Sequence, residues 1–94
     1  MKLGFIGTGN MASAIMGGII KKQIIKAEDI IGADLFAPGR ERAKSQFGIH
    51  VTDSNKEVVE KAEVIVLSVK PQFYADVIHE IRGDIRDNQI VITI

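Results

Sequence analysis

Cysteine is missing from this sequence altogether, which excludes a disulfide framework, a thiolate metal site and a cysteine nucleophile within it. The absence fits a reducing compartment, and the cytoplasm is the expected location. Excess charge is missing too. Twelve Lys+Arg balance twelve Asp+Glu, so the chain lacks the general basic field that sequence-independent nucleic-acid binding draws on. Any anion it holds must be held locally. No apolar run approaches the roughly 18 to 20 residues of a membrane span, because Gly9-Asn10 and Lys21-Lys22 interrupt the N-terminal part. The opening "MKLGFIG" has no cleavage-like site and reads as a strand, not an export signal. Neither nucleic acid nor membrane is an expected partner.

What is there suits one folded domain over residues 1–94, with 46% hydrophobic and 26% charged residues in ordinary globular proportion. Strand-like and helix-like runs alternate. Leu3–Ile6 is a short apolar run ending at Gly7, as expected of a strand buried on both faces. A helix from about Asn10 to Lys22 follows, with Met11, Ile15, Gly18, Ile19 and Lys22 at three- and four-residue steps. Ile30–Ala33 gives a second strand ending at Asp34. Pro38-Gly39 marks a turn or helix start, and Arg40–Phe47 reads as a short helix stopped by Gly48. Ile49–Val51 is a third strand. Asp53 or Ser54 caps a helix through Ala62, and Val64–Val69 is a β-branched strand ending before Lys70-Pro71. A helix over Phe73–Ile81 turns Val77, Ile78 and Ile81 inward, and Gln89–Ile94 starts a fifth strand. This order predicts an α/β fold: a Rossmann-like open, mainly parallel sheet with helices on both faces. The apolar ending suggests the N-terminal part of a longer protein.

Gly7-x-Gly9-x-x-Ala12 lies directly after a predicted strand and opens a predicted helix, the context in which such a pattern cradles a dinucleotide. Gly7 allows the sharp turn off the strand. Gly9 lets a pyrophosphate approach the backbone, and Ala12 allows close helix-to-strand packing. Thr8, Asn10 and Met11 complete the loop, and free amides with the positive end of the helix dipole face the phosphates. A tight βα turn without a ligand is the alternative. Asp34 stands where a carboxylate accepts hydrogen bonds from the adenosine ribose and favours NAD. Arg40 and Arg42 lie close enough in sequence to hold a 2′-phosphate instead, although both read first as a solvated helix face, so NAD and NADP both stay open, as does a solvated turn role for Asp34.

Ser68, Val69, Lys70 and Pro71 follow the most apolar strand, where ligands lie in open α/β sheets, and are expected beside the nicotinamide. Asn55 faces the same crevice or caps its helix. His50 and His79 have no metal-site spacing and read as surface or structural residues. Met11 and Met16 read as core residues, with the Met11 N–H also available to phosphate. No catalytic or metal-binding residue is expected in these positions.

"GFIGTGNMASAIMGGII", "QFGI" and "DSNKEVVEKAEVIVLSVKP" together resemble the N-terminal domain of pyrroline-5-carboxylate reductase across essentially the whole chain. The resemblance implies reduction of 1-pyrroline-5-carboxylate to L-proline, the last step of proline biosynthesis, by hydride from NADPH or NADH. By matching position it places Gly7 to Ala12 at the pyrophosphate, Asp34 at the ribose, and Asn55 with Ser68 to Pro71 near the nicotinamide. That family often carries a small hydroxyl residue at the position of Asp34, a departure that bears on cofactor choice. It also implies a helical C-terminal domain, absent here, that forms a homo-oligomer and the imino-acid pocket. These residues alone are then expected to bind cofactor without turnover. The competing readings are a dehydrogenase of the 3-hydroxyacid or prephenate type, and a non-catalytic nucleotide-sensing module.

Overall fold

The computed structural model describes residues 1–94. Its first strand, β1 (Leu3–Ile6), is buried along its whole length, and alternate residues serve opposite faces, as the two-residue period of a strand requires. Leu3 and Phe5 join one core cluster with Ala12, Met16 and Ala43; Ile6 joins another with Val58, Val59, Val77 and Ile81. The helices behind those residues are α1 (Asn10–Lys21) and α2 (Ala37–Phe47) on one face, and α3 (Asn55–Lys61) and α4 (Tyr74–Ile81) on the other. The remaining strands are β2 (Ile30–Ala33), β3 (His50–Thr52), β4 (Val64–Leu67) and β5 (Ile90–Thr93). All four pairings are parallel, in the order β3-β2-β1-β4-β5. The sheet is the expected doubly covered α/β arrangement. Its order reverses beside β1, and ligands collect at the carboxyl ends of the strands at such a switch point.

Close packing here depends on missing side chains. A Cβ at Gly4 would lie 2.5 Å from Val58 Cγ1 and 2.8 Å from Ala62 Cβ, so α3 rests directly on the β1 backbone. Ser54, not Asp53, caps α3, its hydroxyl accepting from the Glu57 N–H at 3.3 Å. Glu57 accepts in turn from Lys61 Nζ at 2.8 Å and from the Thr52 hydroxyl at 2.6 Å. Those bonds, Lys61's first, hold its carboxyl below the ordinary value of 4.5.

Several expectations need correction. The inner stripe of α1 is Ala12 and Met16, flanked by half-buried Ile15, Ile19 and Ile20, instead of the stripe through Met11 and Gly18. Met11 is 60% exposed, because the azimuth of α1 turns the neighbouring Ala12 to the sheet and Met11 away from it. Ile78 is exposed as well. Val77 and Ile81, four residues apart, define the inward stripe of α4, and Ile78 lies to one side of it. The β4 strand stops at Leu67, and α2 begins at Ala37 with Pro38 in its first turn. His50 and His79 are both exposed. β5 pairs only with β4 and is exposed throughout. No helix is long and apolar enough to cross a membrane.

Candidate functional site

The turn from β1 into α1 is built around Gly7. Its φ of 99° lies in the region that favours glycine, and a Cβ there would come 2.9 Å from the Ser68 carbonyl oxygen. Ser68 closes the same point from β4. Its N–H donates to Ile6 O at 2.9 Å and its hydroxyl to Gly7 O at 2.7 Å, so this side chain braces the turn.

Gly9 differs from Gly7. Its φ is −73°, which any residue adopts, and a Cβ placed on it would meet nothing within 4 Å. Neither backbone conformation nor packing inside the protein calls for glycine there. It precedes α1, a helix with no side-chain cap and no acidic residue in its first turn, so the leading amides from Asn10 to Ala12 have no intrahelical acceptor. Unpaired amides, a favourable dipole and an open approach over Gly9 suit a phosphate. The residues present therefore fit a dinucleotide's pyrophosphate. Ala12 is fully buried, where its small side chain keeps α1 close to the sheet.

Asp34 follows β2 at the same edge. Its Oδ2 accepts from the Thr8 N–H at 3.0 Å and the Thr8 hydroxyl at 2.8 Å, and its Oδ1 from the Phe36 N–H at 3.0 Å. Thr8 is fully buried: both its donors go to Asp34, and none faces a ligand. Arg40 donates to the carbonyl of Asp34 at 2.8 Å, and Arg42 to that of Thr8 at 3.3 Å. Both arginines brace the backbone.

These pieces surround a cleft of about 700 Å³, within the usual range for small-molecule sites. Asp34, Leu35 and Phe36 line one end, Gly7 and Gly9 the middle, and Asn55, Ser68, Val69 and Lys70 the other. Asn10, Met11 and Pro71 line an adjoining recess of about 390 Å³ that shares Gly9 and Ser68 to Lys70. Thr8 and Ala12 stand behind both. Asn55 does not cap α3; its amide donates to Glu80 at 2.8 Å. Lys70 is exposed and forms no ion pair.

The sequence reading overlooked Leu35, Phe36, Phe73, Asp53, Asp76 and Glu80, all of which line the main cleft. Leu35 and Phe36 had a readable signal, being two large apolar side chains between a strand end and a helix start, 86% and 66% exposed. Asp76 and Glu80 are four apart on α4, a spacing equally common on solvated helices.

Comparison with known proteins agrees with this geometry. The family model described as NADP oxidoreductase, coenzyme F420-dependent, matches residues 2–94. A pyrroline-5-carboxylate reductase of Methanosarcina acetivorans is 36% identical over 93 residues, covering 99% of this chain and 34% of its own length. A pyrroline-5-carboxylate reductase structure from Coxiella burnetii superposes with a TM-score of 0.92 at 30% identity, covering 99% of this chain and 34% of that one. The Plasmodium falciparum pyrroline carboxylate reductase, solved with NADP bound, gives 0.83 at 30% identity, with 100% and 33% covered. The chain thus spans about a third of the length of the relatives it matches. With its sheet order, its glycine turn and a family match over nearly every residue, the chain belongs to the NADP oxidoreductase, coenzyme F420-dependent family and forms a dinucleotide-binding, Rossmann-like domain.

Proposed function

We propose that these residues are the cofactor-binding part of an NAD(P)H-dependent reductase that converts 1-pyrroline-5-carboxylate to L-proline, closing proline biosynthesis in the cytoplasm. Gly9 carries this reading. It is a glycine without an internal reason to be one, at the mouth of an uncapped helix, in a chain similar to pyrroline-5-carboxylate reductases over 99% of its residues. When bound, the reduced nicotinamide supplies the hydride that the imine carbon accepts, while the imine nitrogen takes a proton.

The chain's own residues bind and orient. The amides from Asn10 to Ala12 take the pyrophosphate, Asp34 takes the ribose, and Leu35 and Phe36 flank the adenine. The backbone at Ser68 and Val69, with Lys70, Pro71 and Asn55, borders the nicotinamide end. No residue here is assigned to acid–base work. We place the imino-acid pocket and the homo-oligomer contact in a helical domain outside these residues, so the 94-residue chain binds cofactor without turning substrate over.

Two measurements test the reading. Fluorescence titration of the chain with NADH and NADPH should show saturable binding of at least one. A chimera joining these residues to the remaining two-thirds of the Methanosarcina acetivorans reductase should oxidise the nicotinamide with formation of proline. A folded, cofactor-binding chimera that leaves pyrroline carboxylate untouched would sink the assignment, whereas proline formation by the isolated chain would overturn the placement of the substrate pocket outside these residues.

A further inference from the structure

The end of the cleft beside β2 already contains an anion. The Asp34 carboxylate receives three donors, two from Thr8 on Oδ2 and one from Phe36 on Oδ1. A carboxylate offers about four lone-pair positions, so one remains, on Oδ1. It suits a donor such as a ribose hydroxyl. A phosphate monoester brings about −1.5 to −2 charges at neutral pH and only acceptor oxygens when ionised, and here the backbone donors it would need are directed at Asp34. Arg40 and Arg42 each direct one guanidinium nitrogen to main-chain carbonyls of this edge, at 2.8 Å to Asp34 O and 3.3 Å to Thr8 O. Gly39, in the first turn of α2, packs on the far side: a Cβ added there would lie 3.4 Å from Thr8 Oγ1 and 3.5 Å from Asp34 Oδ2.

Resting on the cofactor reading above, we infer that buried Thr8 is a positioning residue that fixes the Asp34 carboxylate against a 2′-phosphate, so that this chain selects NADH over NADPH. Thr8 touches no part of the cofactor. Its hydroxyl and N–H keep Oδ2 turned inward and leave the free position of Oδ1 toward the ribose. Without the hydroxyl, Asp34 is held on that oxygen by a single amide and can swing out of the ribose position. The discrimination then weakens through both a poorer ribose contact and a relaxed negative charge.

The test is a comparison of NADH and NADPH dissociation constants for the 94-residue chain and its variants at one ionic strength, with Tm recorded for each. The unsubstituted chain should favour NADH by about tenfold or more, the scale of one charge-assisted hydrogen bond. Thr8→Ser, which keeps the hydroxyl, should retain that ratio. Thr8→Val should reduce it to about threefold or less, and Asp34→Ser should abolish it. Thr8→Ala, which also lacks the hydroxyl, serves if Thr8→Val fails to fold. A purely structural role for Thr8 would lower Tm and leave the ratio alone, and that outcome overturns the inference. Equal binding of the two cofactors, or tighter NADPH binding, by the unsubstituted chain overturns it as well while leaving the dinucleotide assignment standing. Binding of neither overturns both.

Discussion

Gly4→Ala is the substitution whose cost the geometry sets most directly. The added methyl would lie 2.5 Å from Val58 Cγ1 and 2.8 Å from Ala62 Cβ, against about 3.5–4.0 Å for a relaxed carbon contact. Both neighbours are fully buried and belong to α3 or its C-cap, so relief requires α3 to lift from the sheet by about 1 Å, or strained rotamers. Overpacking of this kind costs about 1–3 kcal/mol. For a domain of this size, a loss of about 2 kcal/mol lowers Tm by roughly 8–16 °C. Val58→Ala alone removes two methyl groups, worth roughly 1.6 kcal/mol in transfer, and with the cavity it leaves should cost about 2–3 kcal/mol. In Gly4→Ala/Val58→Ala the new methyl enters the vacated space. The double variant should therefore be more stable than the sum of the singles by about 1–2 kcal/mol, with the Ala62 contact as the residual penalty. Urea denaturation followed by circular dichroism, with an unchanged m-value, measures all four corners of this cycle. A near-neutral Gly4→Ala, or strict additivity, would show that α3 is not seated on β1 as described.

The two loop glycines should separate stability from binding. Gly9→Ala should leave the unfolding free energy within about 0.5 kcal/mol of the unsubstituted chain in urea denaturation yet weaken NADH binding about tenfold or more. Gly7→Ala should cost about 1–3 kcal/mol as well as binding, because of its φ and the 2.9 Å approach to Ser68 O; equal behaviour of the two variants would contradict the distinction. Glu57 sets a pH dependence. Its folded pKa is depressed, so its contribution is fully present above 4.5 and is lost as pH falls through the lower folded value. Its side chain is 37% exposed, which limits the effect to about 0.3–0.5 kcal/mol. The stability gap between the unsubstituted chain and Glu57→Gln should hold from about pH 7 down to 4.5 and shrink as the pH falls further, and a gap independent of pH would remove Glu57 from the account.

The alternation of apolar runs made the βα order readable, since Leu3–Ile6 and Val64–Leu67 are continuous apolar stretches of the kind only a doubly covered sheet accommodates. The glycine turn was readable for the same local reason. Burial by individual side chains was less so. Periodicity gives the spacing of a helical stripe but not its azimuth, which the sheet decides. Met11 therefore satisfied the pattern and still lies over the cleft, while Ala12 took the inner position. Ser68 and Thr8 flank the cleft by position, but the partners of their side chains are not legible locally. Their hydrogen bonds join residues 61 and 26 positions apart, and no local pattern encodes pairings at that distance.

The brace at Ser68 has a mechanical consequence. β1 and β4 are paired from Leu3↔Val64 to Ile6↔Leu67, and Ser68 extends that ladder past the strand ends and ties it to the first turn of the loop. The two walls of the crevice therefore move as one piece, with no hinge between them. A dinucleotide can enter or leave without the crevice spreading at its base, and any gating of its release must come from what lies across the open side.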